Sequence, residues 1–143
     1  MKVVLSRDID WLLSEEAFSL YSSCMYHPTY EDFKIQVEGF LNDPSVKIYV
    51  CENRGRKTGV MVLKYADTVA EILGIAVSDK LRCRGIGRHM IQFAIKSESL
   101  ERIEAQTDDD SVGFYRKCGF AAERIIVDYP DGSAVRYNCV LSK

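Results

Sequence analysis

Between residues 69 and 107 the hydrophobic period of this chain changes twice, and no other feature restricts its fold as much. "VAEILGIAV" (69–77) is a nearly continuous apolar run of strand length. From 85 to 97 the apolar residues Ile86, Met90, Ile91, Phe93, Ala94 and Ile95 recur at helical spacing. "RIEAQT" (102–107) then alternates as a strand does. Strand, helix and strand in this order make a crossover between parallel strands, and such crossovers are right-handed. The apolar continuity of 69–77 puts it near the middle of the sheet.

The rest of the chain reads as antiparallel sheet and helices. Residues 3–5 make a short strand, and 8–24 a helix with Ile9, Leu12, Leu13, Phe18 and Leu20 on one face. Pro28 breaks the chain, and Thr29 with Asp32 opens a second helix that runs to about Phe40. "VKIYVCE" and "TGVMVLKY" are strands across the polar turn "NRGRK". "DSVGFYRKC" is a short helix, and "ERIIVDY" and "AVRYNCVL" form a hairpin across "PDGS". The order β, α, α, β, β, β, α, β, α, β, β predicts an α+β (α/β three-layer) domain with a mixed sheet. No repeat, low-complexity tract or linker divides the 143 residues, so one domain is expected over 1–143.

A formal net charge of -2 argues against a nucleic-acid or membrane binder. The apolar runs are too short to span a bilayer, and "MKVVLSRDID" lacks the apolar core of a signal peptide, which predicts a cytoplasmic protein. Five cysteines form no C-x-x-C pair, and His27 and His89 lie far from any paired cysteine spacing. Thiols are therefore expected in place of a disulfide framework, and no metal site.

Against this balance, "LRCRGIGRHM" (81–90) concentrates Arg82, Arg84 and Arg88, with Lys80 just before it, around Gly85 and Gly87. The segment joins a central strand to a helix. A helix start leaves N–H groups unpaired and favours an anion, and glycine lets backbone approach a bulky group. This composition suits a cradle for several phosphates, or a plain turn with solvated arginines. It is not a Walker loop, and Met90 stands where a dinucleotide fingerprint needs glycine or alanine.

The pattern Arg82-Cys83-Arg84-Gly85-Ile86-Gly87 with its lead-in "AEILGIAVSDKL" resembles motif A of the GNAT N-acyltransferase superfamily. "TDDDSVGFYRKCGF" (107–120) resembles that family's "FY-x-x-x-GF" helix, and the resemblance covers roughly 45–143. It implies a splayed, mostly antiparallel sheet of about seven strands, flanked by helices, that admits acetyl-CoA as co-substrate. By this resemblance the backbone of Ile75, Ala76 and Val77 pairs with the pantetheine arm like an added strand. Residues 82–88 (Arg82, Cys83, Arg84, Gly85, Ile86, Gly87 and Arg88) hold the pyrophosphate, chiefly through backbone N–H groups. The implied activity is acetyl transfer to a primary amine, on a small molecule or a protein N-terminus or lysine, by direct attack in a ternary complex. An acyl-CoA-binding sensor without catalysis is the alternative, and a homodimer is an open possibility.

Tyr115 matches the family's tyrosine near the thioester sulfur, where a phenol can protonate or hydrogen-bond the departing thiolate. The plain alternative is a core ring beside Phe114 and Phe120. The backbone N–H of Val77 is the expected oxyanion donor. Glu71 is the first candidate base for the acceptor ammonium and Glu104 the second. Asp108 stands where many members carry asparagine; as a carboxylate it cannot donate, and Asp108 to Asp110 read better as helix caps. Tyr21, Tyr26, His27 and Tyr30 are candidates for an acceptor pocket, or simply pack helices on the sheet. Cys83 and Cys118 have no histidine partner evident, so neither is assigned catalysis.

Overall fold

The computed structural model describes residues 1–81 and 84–142. Seven strands form one sheet: β1 (Lys2–Leu5), β2 (Val46–Asn53), β3 (Arg56–Ala66), β4 (Val69–Val77), β5 (Arg102–Thr107), β6 (Ala121–Tyr129) and β7 (Gly132–Ser142). The helices are α1 (Ile9–Leu12), α2 (Glu15–Tyr21), α3 (Tyr30–Asn42), α4 (Ile86–Ser97) and α5 (Val112–Lys117). Strand order is β1-β2-β3-β4-β5-β7-β6. Among the described residues only β4 with β5 is parallel, as the crossover required.

The helix expected over 8–24 is broken. Ser14 caps α2, its hydroxyl accepting from the Ala17 N–H at 3.2 Å while donating to the Trp11 carbonyl at 2.6 Å. One serine thus ends α1 and starts α2, because its side chain offers the backbone a non-helical alternative. Ser14→Ala should cost about 1 kcal/mol, read as a fall in Tm of roughly 2–4 °C. Thr29 caps α3 as predicted, accepting from the Asp32 N–H at 3.1 Å.

The sheet carries a core on each face. On one, α4 and α5 pack through Ile86, Met90, Ile91 and Tyr115 onto Met61, Leu63, Ile72 and Ile103. On the other, α2 and α3 pack through Ala17, Tyr21, Phe33 and Val37 onto Val50, Val60, Val62 and Ala76. β3 is buried without a break from Thr58 to Leu63, since helices cover it on both sides.

Strand β4 carries two irregularities. First, Val62 lies opposite Gly74 and Leu63 opposite Ile72, so Leu73 is an extra residue, a bulge. The bulge reverses the alternation. Ala70 and Ile72 before it and Ile75 and Val77 after it belong to the α4 face, whereas Gly74 and Ala76 turn to α2. Second, β4 pairs with β5 only at Val69–Arg102, Ala70–Ile103 and Glu71–Glu104. β5 stays paired with β7 along its whole length. Past Glu71 the two strands part, and the sheet is splayed.

Candidate active site

Among the described residues, the parting leaves one edge of β4 past Glu71 without a partner strand. The Ser78 N–H donates to the Thr58 carbonyl at 2.8 Å. Alternation in an antiparallel ladder then directs Ala76 and Gly74 toward β3. Ile75 and Val77 therefore hold their N–H and C=O groups toward the gap. Of the three backbone positions expected to meet a pantetheine strand, two face the gap, and Ala76 faces β3. The Ile75 carbonyl is met by the Cys24 thiol, which donates to it at 3.2 Å.

The start of α4 lies beside this edge. Gly85 caps the helix at φ 79°, a left-handed conformation that favours glycine, with open space where a Cβ would stand. Among the described residues the first intrahelical bond runs from the His89 N–H to the Gly85 carbonyl, at 2.9 Å. The N–H groups of Ile86, Gly87 and Arg88 precede it and lie in the turn that has no intrahelical acceptor. Arg84, Arg88 and Lys80 are exposed. Arg82 and Cys83 lie outside the described residues. Gly87 is buried, and a Cβ there would lie 2.8 Å from Cζ of Phe114 and 3.7 Å from Cδ1 of Ile75. Its missing side chain therefore makes room for the Phe114 ring, a packing reason that the loop pattern alone does not reveal.

α5 supplies Tyr115, which is buried against Phe114 and Phe120 with ring centroids 5.2 Å away in each case. Burial, then Cys24, Cys139 and Cys118, push its phenol well up, so it keeps its proton at neutral pH. The Asp108 carboxylate accepts the Ser111 N–H at 3.1 Å, a helix-start contact. Asp109 does not cap; it accepts the Tyr137 hydroxyl at 2.6 Å. Burial raises the Cys118 thiol against the opposing charge of Arg88, which keeps it a thiol.

Glu71 and Glu104 face each other in the last β4–β5 pair before the strands part. Glu71 is exposed and Glu104 half-buried. Like charges opposite one another repel, and Arg102 offsets one of them, its Nε lying 2.7 Å from Oε1 of Glu104. Across the gap the α2 layer contributes Tyr21, 3 % exposed. Tyr26 is exposed and stacks edge-on against His27, itself exposed, with ring centroids 4.1 Å apart. Tyr30 donates to the Leu13 carbonyl at 2.5 Å and so ties α3 to α1. The structure thus brings Tyr21 to the gap and leaves the other three in packing or surface roles. Sequence reasoning missed Cys24, Gly74 and the Leu73 bulge, none of which carries a local signal. Among the described residues no group of three or more His, Cys, Asp or Glu is placed to hold a metal. Among them, too, no helix is long and apolar enough to cross a membrane.

The acetyltransferase (GNAT) family matches residues 7–120. The chain belongs to this family, and it is an acetyl-CoA-dependent N-acetyltransferase. No curated protein matches it. Solved structures share the fold at low identity. The ribosomal-protein-S18-alanine N-acetyltransferase from Escherichia coli is 12% identical with a TM-score of 0.72, over 99% of this chain and 92% of that one. An aminoglycoside 6'-N-acetyltransferase complexed with coenzyme A is 14% identical with a TM-score of 0.75, over 99% and 97%. A spermidine N-acetyltransferase chimera from Vibrio cholerae and hSSAT is 14% identical with a TM-score of 0.74, over 99% and 96%.

Proposed function

We propose that residues 1–143 act as one catalytic domain that moves the acetyl group of acetyl-CoA onto a primary amine by direct attack in a ternary complex. One observation carries this reading: the partnerless edge of β4 runs beside the open first turn of α4. An extended amide-containing arm adds to a free strand edge through main-chain hydrogen bonds. A pyrophosphate suits the adjoining N–H groups, with Arg84 and Arg88 close in sequence. The arm takes Ile75 and Val77, and the phosphates take residues 84–88.

The acceptor enters from the α2 face, where Glu71 stands. An alkylammonium near pKa 10 must lose a proton before it attacks, and Glu71 takes it, directly or through water. Nitrogen bonds to the thioester carbon, the Val77 N–H stabilises the oxyanion, and collapse breaks the C–S bond. The nitrogen sheds its second proton, the sulfur gains one, and the products are an acetamide and free CoA. Burial raises the Tyr115 phenol, so it keeps its proton and meets the departing sulfur as a donor. Tyr115 is accordingly assigned as a hydrogen-bond donor to the departing sulfur. The similar structures are named for a ribosomal-protein alanine, an aminoglycoside and spermidine, which agree on an amine and on little else.

Acetyl-CoA at a hundred times its Kd should stabilise the protein by about 2.7 kcal/mol, read as a rise in Tm. No shift and no calorimetric heat at millimolar ligand would refute the reading of the gap. An acceptor panel that follows CoA release then finds the amine; binding without turnover on any amine would favour a sensor.

A further inference from the structure

The Tyr21 hydroxyl is buried and has no hydrogen-bond partner among the described residues. Such an orphan is costly and rare in a native fold. Its position is also built. A Cβ on Gly74 would overlap the hydroxyl oxygen and lie 2.7 Å from Cζ, so glycine at the bulge is what lets this phenol reach β4. The phenol lies close enough to Cys24 and Tyr115 to be raised by both after burial, so it stays protonated and acts as a donor.

The gap beside it is unbalanced in hydrogen-bonding capacity. Ile75 and Val77 each bring an N–H to the free edge, but the Ile75 carbonyl is engaged by the Cys24 thiol. Tyr21 approaches from the α2 face and Tyr115 from the α4 face. At the bulge two phenol donors, Tyr21 and Tyr115, thus stand beside two free-edge amides, while the Ile75 carbonyl is already engaged and the Glu71 carboxylate lies three positions before Gly74. That environment suits an oxygen that gains negative charge, and it suits poorly an ammonium, which brings only more donors.

We propose that Tyr21 is a second donor to the carbonyl oxygen of the thioester acyl group, acting beside the free-edge amides of β4. This rests on acetyl-CoA occupying the gap. The bond exists with the acyl group and not with CoA alone, and it strengthens as the oxyanion forms.

Tyr21→Phe removes only an unpartnered hydroxyl, so Tm should hold or rise. Calorimetry with acetyl-CoA and with CoA, on parent and variant, separates the possibilities. The expected result is an acetyl-CoA affinity lowered roughly two- to tenfold, the range of a neutral hydrogen bond, with CoA affinity unchanged. The infrared carbonyl band of bound carbonyl-13C acetyl-CoA should lie at lower frequency in the parent than in the variant. An unchanged ratio of the two affinities together with an unmoved band overturns the role of Tyr21 and leaves the gap reading intact. Failure of the parent to bind either ligand overturns both. Should the variant not fold, a parent band at or above its frequency in water also overturns the proposal.

Discussion

Tyr115→Phe should lower kcat about a hundredfold while leaving acetyl-CoA affinity near that of the parent. The ring stays, so its contacts with Phe114 and Phe120 stay, and stability changes little. What is lost is one O–H. Hydrogen bonds to charged groups contribute about 1.5–3 kcal/mol, and a hundredfold corresponds to roughly 2.7 kcal/mol. The sulfur carries its charge only as the C–S bond breaks, so the loss falls on kcat more than on KM. An acyl donor with a more acidic thiol should suffer less, since its thiolate needs less help. The measurement is single-turnover kinetics, which isolates chemistry from product release. A rate within twofold of the parent would return Tyr115 to a core ring.

Gly87→Glu should weaken acetyl-CoA binding by at least about a hundredfold, roughly 2.7 kcal/mol. Two effects are combined, and Gly87→Ala separates them. Any Cβ at this site meets the Phe114 ring at 2.8 and 2.9 Å. Overpacking of this kind costs about 1–3 kcal/mol, so both variants should melt earlier. Only glutamate adds a carboxylate beside the open N–H groups of α4, where it competes with and repels a pyrophosphate. Calorimetry well below each variant's Tm makes the comparison. Equal affinity in the alanine and glutamate variants would show that the α4 start does not carry the phosphates.

Local signals account for much of this molecule. The period change across 69–107 is enough for the parallel crossover, because a strand and a helix bury residues at different spacings. Thr29 and Asp32 announce the start of α3, and Gly85 with the run after it announces α4. Ser14 is the same kind of signal, a cap hidden inside an apolar period long enough for one helix. The family itself is readable from two short motifs, because they concern backbone contacts that depend on glycine and on chain direction.

What depends on residues far apart in sequence was decided only by the tertiary structure. The splay exists because β5 follows β7 and leaves β4 after Glu71, which no local pattern of either strand requires. The Leu73 bulge reverses the faces of β4, so Glu71 and Gly74 share a face although they are an odd number of positions, three, apart. Glu71 and Glu104 become neighbours by register. Cys24 reaches Ile75 across 51 residues of chain. Gly87 answers to Phe114, and Gly74 to Tyr21. In each case the partner is supplied by packing, and packing is a property of the whole sheet and its two helix layers rather than of any single segment.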